Sequence, residues 1–229
     1  MHNDDNQTGR ILTCREALGL LALAAFGPAR ALAQAALPAC IVTPEQMEGP
    51  FFVNERLNRS DIRPDPADGS VKQGVPLALV LRLSSISGGK CAPLPGATVD
   101  VWHCDAAGAY SAETAGKGFL RGYQVSDAGG NVRFTTIYPG SYAGRAVHVH
   151  FKVRGKNSAG RGYDFTSQLY FDEAVTDRVY ARGPYAGQRQ RVRNERDGLF
   201  RRGGDQLMLA LAESGPGYTG SFDIGVSTG

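Results

Sequence analysis

The feature of this chain that most constrains its fold is a strict alternation of apolar residues. From residue 77 to residue 83 every second residue is leucine. A period of two places all of these leucines on one face of a β-strand, which then covers a core. Other short apolar runs follow, separated by turns rich in the chain's 30 glycines and 12 prolines. Seven or more short strands joined by turns predict an all-β fold, an antiparallel β-sandwich.

The remaining predicted strands are read from the same kind of pattern. They cover residues 97–105, 122–125, 132–137, 146–153, 165–171, 207–211 and 222–226. The strands at 122–125 and 132–137 flank a glycine-rich loop, which predicts a hairpin. After Asp172 the chain is polar and rich in arginine. Acidic residues interrupt these arginines and no aromatic residues alternate with them, so we expect a solvated or substrate-facing loop and no nucleic-acid partner.

The first 35 residues have the pattern of a secretory signal segment. Arginines precede an apolar run at residues 17–26, and Ala31-Leu32-Ala33 follows as a cleavage site. The run is too short to span a bilayer. We therefore expect an exported protein, with a domain at residues 36–229 that has no membrane association once residues 1–35 are removed. A buried or amphipathic N-terminal helix is the alternative, and the export route stays open.

The cysteine content also fits an exported protein. Cys14 lies in the signal segment, which leaves Cys40, Cys91 and Cys104 in the mature chain. Exported proteins meet oxidising conditions, so one disulfide and one free thiol are expected. The sequence does not choose the pair.

One strand carries the residues that suggest a metal site. Alternate residues from 147 to 153 are apolar and should enter the core, so His148 and His150 share the opposite face. Imidazole is a common ligand of transition metals. Two histidines on a solvent-facing strand are the simpler alternative. A zinc site that adds His103 is a second alternative.

Two tyrosines near this strand favour iron over zinc. Tyr142 lies six residues before His148, and Tyr110 follows the strand at 97–105. Phenolate is a hard, anionic oxygen donor that suits a trivalent metal. Each tyrosine alone is more often a packing residue. Two phenolates with two imidazoles would stabilise Fe(III).

Four segments together resemble a known family. Residues 97–111 (ATVDVWHCDAAGAYS), 136–153 (TIYPGSYAGRAVHVHFKV), 166–172 (TSQLYFD) and 48–51 (EGPF) are similar to the intradiol ring-cleavage dioxygenases. The likeness runs from about Cys40 to the C-terminus. It implies a β-sandwich that holds Fe(III) through Tyr110, Tyr142, His148 and His150.

The resemblance also implies roles for residues around the iron. Arg145 would steady negative charge that develops on the substrate ring, and Gln168 would lie in the shell around the ligands. His103 falls inside a matching segment but not at a ligand position, so a hydrogen-bonded structural role is expected. Phe51-Phe52 stands where relatives often carry tyrosine, which removes a phenolic contact to substrate.

The expected reaction is cleavage of a catechol-like aromatic by dioxygen, between the two hydroxyls, to a muconate-type product. An exported β-sandwich binding module with a vestigial metal site is the main alternative. A zinc hydrolase using the three histidines is another. The natural aromatic and the oligomeric state are not predicted.

Overall fold

The computed structural model describes residues 41–188 and 191–228, all within one compact unit of the chain. The predicted signal segment at residues 1–35 lies outside the described residues, as does Cys40. The described residues form nine strands, one α-helix and five short 3-10 helices. The strands and the α-helix are β1 Pro76–Ser87, β2 Lys90–Pro93, β3 Thr98–Trp102, β4 Arg121–Val125, β5 Asn131–Ile137, β6 His148–Lys156, β7 Gly162–Tyr170, α1 Glu173–Tyr180, β8 Ala210–Ser214 and β9 Gly217–Ser227.

The strands form two sheets. In the larger sheet β1 pairs with β5 over its first half and with β2 over its second half, while β9 and then β8 extend the other side. The smaller sheet has the order β4-β3-β6-β7 and is antiparallel throughout. The expected all-β fold is confirmed. One pair departs from the antiparallel prediction, because β9 runs parallel to β1.

The core lies between the two sheets. The four alternating leucines of β1 are at most 1% exposed, and they belong to the same buried cluster as Val99 and Val101 of β3. Alternate residues from Val147 to Val153 join this cluster, as their spacing predicts. The opposite faces of β3 and β6 are therefore free to carry polar and aromatic side chains.

The hairpin predicted around the glycine-rich loop is wrong. β4 pairs with β3 in the smaller sheet, whereas β5 pairs with β1 in the larger one. The loop crosses from one sheet to the other, and a hydrogen bond holds each of its ends. The Ser126 hydroxyl donates to the Leu94 carbonyl at 2.7 Å, and Gly130 accepts from the Leu83 N–H at 2.8 Å.

The arginine-rich stretch is more ordered than the sequence suggests. Helix α1 begins after Asp172, whose side chain caps it by accepting from the Val175 N–H at 3.0 Å. Arg191 and Arg193 then pair with Glu173 and with a second acid of α1 at 2.5–2.9 Å. Several of these arginines therefore fasten the segment after α1 to the helix.

Two of the cysteines lie in the described residues. Cys91 is disulfide-bonded, and Cys104 is free and buried. Within residues 41–188 and 191–228, no helix has the length and apolar character needed to cross a membrane.

Candidate metal centre

The two histidines of β6 lie side by side on the face turned away from the core. His148 and His150 are 2% and 1% exposed, and their Nε2 atoms are 2.9 Å apart. His148 Nδ1 lies 2.7 Å from the Ala146 carbonyl, which can only accept, so Nδ1 carries the proton. The lone pair of His148 is thus on Nε2, the orientation in which histidine ligands of metals are held.

An aromatic ring fixes His150. Trp102 is its partner across the β3–β6 ladder, and the two rings stack with centroids 4.9 Å apart and planes 7° apart. Nδ1 of His150 is buried and has no hydrogen-bond partner in the described part of the chain.

Both tyrosines reach the histidine pair. The Tyr142 hydroxyl, from the turn before β6, is 3.3 Å from His148 Nε2. The Tyr110 ring lies 5.4 Å from the Tyr142 ring and 6.3 Å from the His150 ring. Phe51 stacks on Tyr110 at 4.1 Å. The Tyr110 hydroxyl is buried and lies close enough to the Tyr142 hydroxyl to affect its pKa, but it makes no hydrogen bond of ordinary geometry to any described residue. The four predicted ligand side chains thus converge on one place.

Burial keeps these four groups neutral. It lowers the pKa of His148 to about 3, with a contribution from Arg145, and it lowers the pKa of His150 well below the usual range. Burial also raises the pKa values of Tyr110 and Tyr142 above that of an ordinary tyrosine. A bound cation reverses this preference for a phenol, because it stabilises the phenolate directly. Two neutral imidazoles and two phenols, one of them without a partner, are a donor set that fits ferric iron.

Arg145 and Gln168 meet beside this centre. Arg145 Nη2 donates to Gln168 Oε1 at 2.5 Å, and Arg145 Nη1 lies 3.4 Å from the Tyr142 hydroxyl. Gln168 is fully buried, lies opposite His150 across the β6–β7 ladder, and donates to the Met47 carbonyl at 2.9 Å. The structure therefore brings both residues next to the predicted ligands.

Asp197 is a residue of the site that the sequence does not reveal. Its fully buried carboxylate accepts from Arg145 Nε at 2.9 Å, from the Ala146 N–H at 2.8 Å and from the Leu199 N–H at 2.7 Å. Burial works to raise the pKa of Asp197, but these N–H donors and Arg145 outweigh it and hold the pKa low. Asp197 lies in the arginine-rich stretch and belongs to no motif, so only the fold links it to Arg145.

His103 has the structural role expected of it. Its Nδ1 bonds the Cys104 carbonyl at 2.8 Å, and its Nε2 lies 2.7 Å from the Thr136 hydroxyl. Both ring nitrogens are therefore occupied, which argues against the three-histidine zinc site. No group of three or more His, Cys, Asp or Glu residues suited to a metal occurs in the described ranges. Of the four predicted iron ligands only His148 and His150 belong to these residue types.

A cavity of about 490 Å³ opens beside the centre. Tyr142 and Arg145 line it, and Pro50, Phe51 and Leu199 contribute apolar surface. This volume lies within the range of about 300–1,000 Å³ that is usual for small-molecule sites. Phe51 lines the cavity with a plain phenyl ring, which has no hydroxyl to offer to a substrate.

Comparison with known proteins gives consistent results. A sequence profile of the Dioxygenase family matches residues 47–192. Chlorocatechol 1,2-dioxygenase from Pseudomonas putida is 34% identical over 100 residues, which cover 34% of this chain and 36% of that protein. The match thus spans about a third of the length of that curated relative.

Two solved structures cover far more of the chain. An intradiol ring-cleavage dioxygenase from Tetranychus urticae superposes with a TM-score of 0.71 at 29% identity, covering 82% of this chain and 96% of that one. The dioxygenase domain of a dioxygenase–carbohydrate-binding protein fusion from Streptomyces sp. SirexAA-E has a TM-score of 0.62 at 31% identity, covering 82% and 100%. With the family profile matching more than half of the sequence, the chain belongs to the intradiol ring-cleavage dioxygenase family.

Proposed function

We propose that this protein is a non-haem Fe(III) dioxygenase that cleaves catechol-type rings between their two hydroxyls and gives muconate-type products. The observation that carries the proposal is the approach of the Tyr142 hydroxyl and the Tyr110 ring to two adjacent imidazole nitrogens beside the cavity. Family membership and the names of the related enzymes support the substrate class.

Tyr110, Tyr142, His148 and His150 would hold the iron. A ferric ion held there would supply a Lewis acid for the oxygen donors of a catechol ring. The two tyrosines differ in access. Tyr110 is 1% exposed beneath Phe51, whereas Tyr142 is only half-buried and lines the cavity. In the iron-loaded protein the cation would keep Tyr142 as a phenolate, and its Oη would then take a proton from an entering substrate hydroxyl.

Arg145 would stabilise negative charge on the substrate. Its guanidinium stays protonated and lines the cavity next to Tyr142. Asp197 and Gln168 fix its orientation, at 2.9 Å and 2.5 Å. A donor held in place before the reaction stabilises developing charge without reorganisation at that moment.

Metal content and turnover test the proposal together. Purified protein should contain close to one iron per chain, show a broad visible band from tyrosinate bound to Fe(III), and take up oxygen with catechol. His150→Ala should lose the iron. Tyr163→Phe is a control, because Tyr163 lies on β7, is not one of the proposed iron ligands, and its hydroxyl makes no hydrogen bond to a described residue.

Two results would overturn this proposal. Stoichiometric zinc without a visible band would exclude the ferric centre. Bound iron without oxygen uptake on catechol or hydroxyquinol would favour the binding module with a vestigial site.

We also propose that the protein is exported. The signal-like pattern of residues 1–35 supports this, and the disulfide at Cys91 suits an oxidising compartment. Mature protein from an exporting host should begin near Gln34. An intact Met1 on the exported protein, found by N-terminal sequencing, would contradict the cleavage.

A further inference from the structure

The charges that line the cavity are not balanced. Three charged residues contribute to its wall: Arg145, Asp197 and Arg202. Arg145 and Asp197 pair with each other at 2.9 Å, and the Asp197 side chain has no exposed surface. Arg202 is exposed, and no carboxylate of a described residue lies within 4 Å of it. The cavity therefore presents one uncompensated positive charge.

Apart from Tyr142, a proposed iron ligand, the rest of the wall has no side chain that would compete for this cation. Met47, Pro50, Phe51 and Leu199 are apolar, and Gly49, Gly144 and Gly198 carry no side chain. Guanidinium is a planar fork of N–H donors that matches a carboxylate in a two-point hydrogen bond. Because Arg202 is exposed, it can meet a ligand group at the solvent side of the cavity without losing an existing ion pair.

The cavity is large enough for a catechol whose ring carries a side chain. A volume of about 490 Å³ belongs to the class of sites that hold drug-sized ligands, well above the need of one six-membered ring. A catechol whose hydroxyls face Tyr142 would leave part of this volume unfilled, and Leu199 and Arg202 line the same cavity. A substituent that fills this space places its end near the guanidinium.

We infer that Arg202 forms an anion subsite at the outer wall of the cavity, and that the preferred substrates are catechols whose ring bears a side chain ending in a carboxylate. The inference rests on the proposed ring-cleaving function. It narrows the substrate class to acidic, side-chain-bearing catechols and names the residue that selects them.

Neighbouring arginines allow a matched test. Arg201 is also exposed and also lacks an ion pair with a described residue, but it does not line the cavity. Arg202→Gln and Arg201→Gln change net charge equally. The substrates are 3,4-dihydroxycinnamate, its methyl ester and unsubstituted catechol. The ester keeps the shape of the acid and removes its charge.

Arg202→Gln should lower kcat/KM for the acid by about three- to fivefold, mainly through KM, the scale of one exposed charge-assisted pair. The ester and catechol should change by less than about twofold, since neither has a charge for Arg202 to bind. Arg201→Gln should leave all three substrates unchanged. Equal effects of the two substitutions on the acid would overturn the subsite, as would equal kcat/KM for acid and ester in the unaltered enzyme.

A binding measurement separates this inference from the proposed function. 4-Hydroxycinnamate has the acidic side chain but lacks the second hydroxyl, so ring cleavage between two hydroxyls cannot occur. Calorimetric titration of the iron-loaded protein should show tighter binding of this acid than of its methyl ester, and Arg202→Gln should remove the difference. Loss of turnover on every catechol would overturn the proposed function alone, whereas equal binding of acid and ester would overturn the Arg202 subsite alone.

Discussion

Replacing Arg145 with alanine separates a role in the reaction from a role in holding the metal. The guanidinium contacts Asp197, Gln168 and the hydroxyls of Tyr142 and Tyr170, at 2.5–3.4 Å. It cannot ligate iron, because it stays protonated. Arg145→Ala should therefore keep its iron and visible band but lose most turnover.

The contacts of Arg145 set the expected size of the loss of rate and of the loss of stability. Loss of one preorganised donor to developing charge costs about 10²–10³ in rate. Removing one partner of a buried ion pair costs about 3–5 kcal/mol. Asp197 keeps the N–H groups of Ala146 and Leu199, which places the loss at the lower end, about 3 kcal/mol. In a domain of this size that lowers Tm by about 6–12 °C. The variant stays folded at the assay temperature, because domains have about 5–15 kcal/mol of stability.

Iron content, Tm and oxygen uptake with catechol, measured on the same preparations, check this prediction. His150→Ala is the contrasting variant, since it should lose the iron itself. Arg82→Ala is the control: Arg82 forms an ion pair with Asp223 on the surface. Loss of an exposed pair costs under about 1 kcal/mol and should leave turnover intact. Full turnover in Arg145→Ala, together with a lower Tm, would show that Arg145 serves only the ion pair.

Three further predictions concern single groups. Tyr110→Phe removes a buried hydroxyl without a partner, so the iron-free protein should keep its Tm while the iron-loaded protein shows a weaker or shifted band; a large fall in the iron-free Tm would contradict this. Burial lowers the pKa of His103 to about 4, below its unfolded value of about 6.5. The unfolded state therefore binds more protons between these values, and His103 contributes a loss of about 2 kcal/mol of stability from pH 7 to pH 5, beside those of the other buried histidines. Urea unfolding of His103→Gln should lack the His103 contribution, and pH slopes equal to those of the unaltered protein would refute it. Burial raises the pKa of the Cys104 thiol to about 12, so unreduced mature protein should show no thiol reactive with Ellman's reagent until it is unfolded, and one thereafter; three thiols would contradict this.

Local patterns predicted the strands well because burial repeats along the chain with a fixed period. The leucines of β1 and the alternation around His148 and His150 are decided by which face meets the core, and this can be read from neighbouring residues. Convergence of Tyr110 and Tyr142 on the histidines was suggested by the family resemblance rather than by periodicity.

The features that the sequence did not predict, apart from the short helix α1, depend on contacts between residues far apart in the chain. The loop after β4 has hairpin composition, but glycine permits a change of sheet as readily as a tight turn. Helix α1 was missed because it spans only eight residues, although Asp172 is a recognisable N-cap. Asp197 and Arg202 come from a stretch without periodicity, so their approach to the cavity follows from tertiary contacts alone.

The parallel pairing of β1 with β9 has a consequence for how the chain acquires its structure. Leu77 pairs with Tyr218, so a central partner of β1 is synthesised long after β1 itself. Until then one side of an apolar strand has unpaired N–H and C=O groups, which invite association with other chains. Pairings of such long separation form slowly. A ribosome-bound or translocating chain therefore has to keep this strand protected, and truncation before Tyr218 should give insoluble protein rather than a smaller folded domain.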